Sequence, residues 1–178
     1  MARIHSFEPI GDRNAEVLIL GSMPGTRSLT AGEYYAHPHN VFWRILSELL
    51  HFDAVSSYEA RVRALKSARI ALWDVLHSCV RTGSLDAMIE NDTQTANDFR
   101  RFFGGHRKIR NVFFNGATAE ACYRRHVLRE IGPGAPGSPV TMGYLRLPST
   151  SPANASMSFA RKLRAWRAIL GPNALSHP

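Results

Sequence analysis

Hydrophobic positions along the chain fall into two alternating kinds of segment. Four short runs are each closed by small or polar residues: EVLILG over 16–21, RIALWDV over 69–75, IRNVFFNG over 109–116 and VTMGYLRLP over 140–148. The first three are continuously apolar, as strands are when both faces of their sheet are covered. Helical spacing lies between them. NVFWRILSELL (40–50) gathers Val41, Trp43 or Ile45, Leu46, Leu49 and Leu50 on one stripe, and SYEARVRALKSA (57–68) turns Val62 and Leu65 inward. TANDFRRFFGGH (95–106) predicts a further helix stopped at Gly104 and Gly105. ATAEACYRRHVLREI (117–131) and SMSFARKLRAWRAIL (156–170) complete the set.

Alternating strands and helices predict an α/β layered domain around a mostly parallel sheet. Ligands in such folds gather beyond the carboxyl ends of the strands. That rule points at GSMPG (21–25), at Asp74, at Asn115 with Gly116, and at PSTSPANA (148–155). A length of 178 residues suits a single domain spanning 1–178. The Gly/Pro-rich IGPGAPGSP (131–139) is expected to be a surface loop, and GPNALSHP (171–178) a frayed tail.

Charge narrows the partners. The chain carries 22 Lys and Arg against 14 Asp and Glu, a net +8. Such a balance favours phosphate-rich partners, because neutralising phosphates releases condensed counterions. Basic clusters lie at Arg100, Arg101, Arg107, Lys108 and Arg110, at Arg124, Arg125 and Arg129, and in FARKLRAWR (159–167). The first two serve equally well as solvated helix faces. No apolar run approaches the ~18 residues of a membrane span, and the opening residues lack an apolar signal core. A cytoplasmic protein with no membrane partner is expected. Cys79 and Cys122 stand far apart, without zinc or iron–sulfur spacing, and are expected to be buried thiols.

Several chemistries can be set aside. GSMPG is neither a phosphate loop nor a dinucleotide fingerprint, and Pro24 removes a donor that a phosphate cradle would use. Hydroxyls at Ser22, Ser28, Ser149, Thr150 and Ser151 lack the strand-borne G-x-S-x-G elbow of a serine hydrolase. His37 and His39 are two apart in a loop with no second pair at ligand spacing, so no metal is expected. The loop before residue 41 does supply an aromatic pair, Tyr34 and Tyr35, a stiff Ala-His-Pro segment and Asn40. Spacing alone makes Asn40 a helix N-cap, Tyr35 a core aromatic and Asp74 a cap on the following turn.

Taken together, LILGSMPG…SL…YYAHPHNVFWRIL, LWDVLHSCVRTGSLDAMI, VFFNGATA and LPSTSPANA…KLRAWR resemble the hypoxanthine-DNA (deoxyinosine) glycosylase branch of the uracil-DNA glycosylase superfamily. The resemblance runs over residues 14–170. It implies a three-layer α/β/α domain with a short, mostly parallel central sheet. It also implies hydrolysis of an N-glycosidic bond in deoxyinosine-containing DNA, with no cofactor. Superfamily members usually carry a polar residue third in the first motif, to position the attacking water; here that residue is Met23. In the hypoxanthine branch the work falls to the Asn of the AHP-x-N segment, matching Asn40. By the same matching, Tyr35 stacks on the extruded base, and Asp74 stands where relatives read its edge. Gly21, Ser22, Met23 and Asn115 line the base pocket. His37 and the fourth motif, Ser149, Thr150, Ser151, Pro152, Ala153 and Asn154, together with Arg161 and Lys162, face DNA. Ser149 replaces a common His, and the small Ala153 occupies the usual wedge region.

An amide does not take a proton at neutral pH, so Asn40 is expected to orient water rather than act as a base. An ionised Asp74 could accept from hypoxanthine N1–H only; a protonated one could also donate to the carbonyl oxygen, and burial raises a carboxyl pKa. His37 and His77 have structural or mixed roles. Two alternatives stay open: a uracil or mismatched-thymine glycosylase, which Met23 disfavours, and a non-catalytic DNA-binding module. A monomer is expected, because excision needs one pocket.

Overall fold

The computed structural model describes residues 3–131 and 142–171. In chain order these form β1 (Arg3–His5), β2 (Val17–Gly21), α1 (Thr26–Ala31), α2 (Phe42–Leu50), α3 (Tyr58–Ser67), β3 (Ile70–Asp74) and β4 (Leu76–Val80). They continue with β5 (Thr95–Ala96), α4 (Phe99–Gly105), β6 (Asn111–Asn115), α5 (Ala117–His126), α6 (Leu128–Ile131), β7 (Gly143–Leu147) and α7 (Phe159–Trp166). Short 3-10 turns cover Asp86–Met88, Asn91–Thr93 and Arg167–Leu170.

β3, β2, β6 and β7 pair in that order, all parallel, as the central sheet of a three-layer α/β/α domain. These are the four apolar runs of the sequence. Their burial explains the lack of alternation: Ile70–Asp74 is buried at every residue, and Leu18, Ile19 and Leu20 are fully enclosed. The last predicted strand is shorter than 140–148, and its residues 140 and 141 lie outside those described. So do most of the Gly/Pro-rich loop, 132–139, and the tail residues 172–178.

A second sheet, antiparallel in the order β1-β4-β5, did not announce itself. β4 follows β3 after a single residue, so the sequence reads through both as one apolar stretch. α1 has a Gly25 cap without a side-chain hydrogen bond and only Ser28 buried, which leaves no stripe to see. Elsewhere the helices begin where their caps dictate. α4 starts at Phe99 rather than near 95, because Asp98 accepts the Arg101 N–H at 2.9 Å while Thr95 and Ala96 pair with β4. The 117–131 helix divides at Val127, and Ser158 opens α7 by accepting the Arg161 N–H. α2 buries Phe42, Trp43, Ile45, Leu46 and Leu49, about as its stripe requires.

Candidate active site

The register pairs Gly21 with Asp74 and Asn115 with Leu147, which brings the carboxyl ends of all four parallel strands to one edge. Gly21 is needed there for want of space. A Cβ on it would collide with Asp74 Oδ1 and come within 2.9 Å of the Tyr35 hydroxyl. Because Gly21 lacks that atom, Asp74 and Tyr35 close around its backbone. Asp74 is 3% exposed, and its Oδ2 has no hydrogen-bond partner among the described residues, so this oxygen caps no turn. Its backbone carbonyl instead accepts from Asn97 Nδ2 at 2.8 Å. Burial, and after it the nearby Asp86, push the Asp74 carboxyl up to about 8, with Arg81 opposing. At neutral pH the protonated form predominates, able to donate and to accept.

Tyr35 adopts φ 55°, left-handed backbone that a bulky residue takes only when its surroundings impose it. The surroundings are specific. Its ring stacks on Phe42 with centroids 3.9 Å apart, while neighbouring Tyr34 donates its hydroxyl to the Glu8 carbonyl and its N–H to the Tyr58 hydroxyl oxygen. Trp43 Nε1 donates to the Tyr34 carbonyl at 2.8 Å, and Ser28 Oγ accepts the Ala36 N–H. Among the described residues the buried Tyr35 hydroxyl has no hydrogen-bond partner, and Asn115 lies beside it. Burial first, then the Asp74 carboxyl, hold that hydroxyl well above its ordinary pKa.

Past Tyr35 the chain turns, with the Asn40 N–H donating to the His37 carbonyl at 2.9 Å. Asn40 makes the capping hydrogen bond that its spacing predicts, although it stands one residue outside the assigned cap. The cap position is Val41, and Asn40 Oδ1 accepts the Phe42 N–H at 3.0 Å from one residue further out. The side chain is thereby fixed while one oxygen lone pair remains. Val41 N–H donates to the Thr150 carbonyl, tying this turn to the fourth motif.

That motif is folded on itself. Ser149 Oγ accepts the Ser151 N–H, Ser151 Oγ accepts the Ala153 N–H, and Asn154 Nδ2 donates to the Ser149 carbonyl at 3.0 Å. Gly116, at φ 99°, lets Ser149 approach to 3.0 Å of where a Cβ would stand. Asn115 and Thr150 bond to each other, so the Asn115 amide is largely committed inside the protein. The expected DNA-facing set therefore divides. Pro152, Ala153 and Arg161 are exposed and Ser149, Ser151, Asn154 and His37 half-buried, whereas Thr150 is fully enclosed and Lys162 is 5% exposed. Burial lowers the Lys162 ammonium pKa. Neither Thr150 nor Lys162 is a free surface group.

A family model described as the uracil DNA glycosylase superfamily matches residues 8–170. The chain belongs to that superfamily. This glycosylase is 35% identical over 166 residues to a hypoxanthine DNA glycosylase of Methanosarcina acetivorans, covering 92% of this chain and 95% of the relative. It is 40% identical over 111 residues to a hypoxanthine DNA glycosylase of Methanosarcina barkeri, covering 62% and 69%. A solution NMR structure from Methanosarcina acetivorans, described as a "putative Uracil DNA glycosylase", superposes with a TM-score of 0.76 at 33% identity, covering 95% of this chain and 97% of that one. Fold and family agree with the resemblance carried by the four motifs.

Two residues that sequence reasoning passed over, Asp86 and Arg81, pack against the first motif. Buried Ser22 donates its hydroxyl to Asp86 Oδ2 at 2.6 Å. Arg81, 6% exposed, donates Nη2 to the Pro24 carbonyl at 2.6 Å and Nε to the Gly83 carbonyl at 3.0 Å, with Nη1 4.0 Å from Asp86 Oδ1. A buried arginine thus clamps the first motif from beneath. The available signal was an Arg closing an apolar run, with an Asp five residues on. Met23, 6% exposed, belongs to the core and offers no polar atom to a water.

Proposed function

We propose that this glycosylase hydrolyses the N-glycosidic bond of deoxyinosine in DNA, releasing hypoxanthine. The observation carrying the proposal is Asp74, a buried, mainly protonated carboxyl at the end of β3 with an unpartnered oxygen. A neutral carboxyl donates through its hydroxyl and accepts through its carbonyl, matching the carbonyl oxygen and N1–H of hypoxanthine. The names of the two curated relatives point the same way.

The chemistry is assigned as follows. Extruding the nucleotide costs a few kcal/mol of unstacking and unpairing. Stacking on Tyr35, backed by Phe42, returns about 1–3 kcal/mol, and a mispaired inosine leaves the helix more cheaply than a paired normal base. As the bond breaks, the C1′–N9 electron pair leaves with the base and positive charge develops on the sugar. Asp74 and the backbone N–H groups of the loop after Gly21 stabilise the leaving base, in the manner of an oxyanion hole. Asn40, held by the Phe42 N–H, orients the water whose oxygen bonds to C1′ and whose proton ends on hypoxanthine. DNA phosphates help to stabilise the sugar cation. Asn115 acts through Thr150, keeping the fourth motif against the pocket. Ser149, Ser151, Pro152, Ala153, Asn154, His37 and Arg161 grip the DNA backbone. One pocket per chain suits a monomer working on DNA in the cytoplasm.

The test uses oligonucleotides containing inosine, uracil, xanthine or ethenocytosine, with alkali to cleave the abasic products. Inosine strands are expected to break, and Asn40→Ala to slow excision roughly 100-fold. Scission at uracil but not inosine overturns the substrate. An unimpaired Asn40→Ala overturns the role of Asn40. DNA binding with no abasic product on any strand makes the chain a binding module.

A further inference from the structure

Two exposed apolar side chains on the loop that bonds to the first motif have no role in the chemistry above. Leu85 is 56% and Met88 50% exposed, on the loop between β4 and β5. The loop is firmly built. Its Asp86–Met88 turn is a 3-10 helix, in which Leu85 accepts the Met88 N–H at 3.0 Å. Residues three apart eclipse one another in that geometry, so Leu85 and Met88 share a side, while Asp86 reaches back to Ser22. At the base of the loop Arg81 and Ile89 form a bridge. On its flank Thr26 N–H donates to Ser84 Oγ at 3.0 Å, and the Ser84 hydroxyl donates to Thr26 Oγ1 at 2.7 Å.

These anchors seat the loop on the first-motif segment, which begins at Gly21, the residue against whose backbone Asp74 and Tyr35 close. Arg27, next to Thr26, is exposed as well. The fourth motif, meanwhile, exposes the small side chains of Pro152 and Ala153 at the expected wedge region, and its Asn154 amide is bonded to the Ser149 carbonyl. Leu and Met are among the side chains that proteins insert between base steps, gaining bent DNA for a few kcal/mol of unstacking.

We propose that Leu85 and Met88 form an apolar wedge that enters the DNA base stack beside the extruded nucleotide. A rigid base, an apolar tip and hydrogen bonds to the first-motif segment suit this use. The proposal rests on the deoxyinosine reading only for the substrate of its kinetic test.

The experiment compares wild type with Leu85→Ala/Met88→Ala. In binding, each protein is added to a duplex holding a tetrahydrofuran abasic analogue flanked by 2-aminopurine; wild type is expected to raise the fluorescence and the variant to leave most of it quenched. In kinetics, the variant is expected to lose roughly tenfold in inosine excision from duplex, and under about twofold from single strands, where no stack must be opened. Unchanged fluorescence between the two proteins, or equal losses on duplex and single strand, overturns the wedge. If wild type excises no inosine, the substrate assignment fails and the fluorescence comparison still decides the wedge.

Discussion

Asn115 and Thr150 hold each other by two hydrogen bonds: Asn115 Nδ2 donates to Thr150 Oγ1 at 2.9 Å, and Thr150 N–H donates to Asn115 Oδ1 at 2.8 Å. The pair joins the end of β6 to the fourth motif. Thr150 is fully buried, so Asn115→Ala leaves an enclosed N–H without an acceptor and is expected to cost about 2–3 kcal/mol. Thr150→Val keeps the backbone bond and is expected to cost about 1 kcal/mol. Urea denaturation of both variants checks the order; equal losses would place the stabilisation elsewhere.

Asp74 gives the protein a pH signature. Its folded pKa, about 8, lies above the unfolded value of about 3.9, so the folded state holds this proton more tightly. The stabilising contribution is complete below about pH 4 and is lost as pH rises to about 8. Asp74→Asn is expected to lack that slope when stability is followed from pH 4 to 9. Inosine excision by wild type should fall through pH 8, whereas the amide variant, which donates and accepts at any pH, should keep its activity there. Parallel pH profiles for the two proteins would show that Asp74 does not titrate in this range.

Gly21 permits no side chain. Gly21→Ala puts a methyl group against two buried side-chain groups, the Asp74 carboxyl and the Tyr35 hydroxyl. Overpacking of this kind costs about 1–3 kcal/mol. Excision should fall more than stability, because the clash is with the two groups proposed to meet the base. Thermal denaturation beside a kcat measurement separates the effects.

Tyr35 carries a buried hydroxyl with no hydrogen-bond partner among the described residues. Tyr35→Phe removes that unsatisfied group and is expected to gain about 1 kcal/mol of stability. If the hydroxyl meets the base, the same variant loses inosine excision. A variant both more stable and fully active would restrict Tyr35 to stacking.

The parallel sheet was legible because Val17–Gly21, Ile70–Asp74 and Asn111–Asn115 are apolar throughout, a pattern that burial on both faces enforces. β1 and β5, three and two residues long, carry too little periodicity to be seen, and their sheet exists through pairing with β4. In the site, motif order placed Gly21, Asp74, Tyr35 and Asn115 together before any coordinates. Which of them face inward was hidden: Asn115 and Thr150 are polar residues that satisfy one another, and Lys162 is a cation folded into the interior. Arg81 escaped notice because its partners are the carbonyls of Pro24 and Gly83, which no side-chain motif reports.

β7 is the last described strand of the sheet in chain order, yet the loop it feeds is tied to the turn at Asn40 and Val41 through the Thr150 carbonyl. That loop is secured later still, by Trp166 Nε1 donating to the Pro148 carbonyl at 2.9 Å. A nascent chain thus carries Tyr35, Asn40 and Asp74 long before Thr150 and Trp166 arrive to hold the fourth motif in place. Tyr35, Asn40 and Asp74 therefore do not hold the fourth motif by themselves; the segment from Pro148 to Trp166 has to be in place as well.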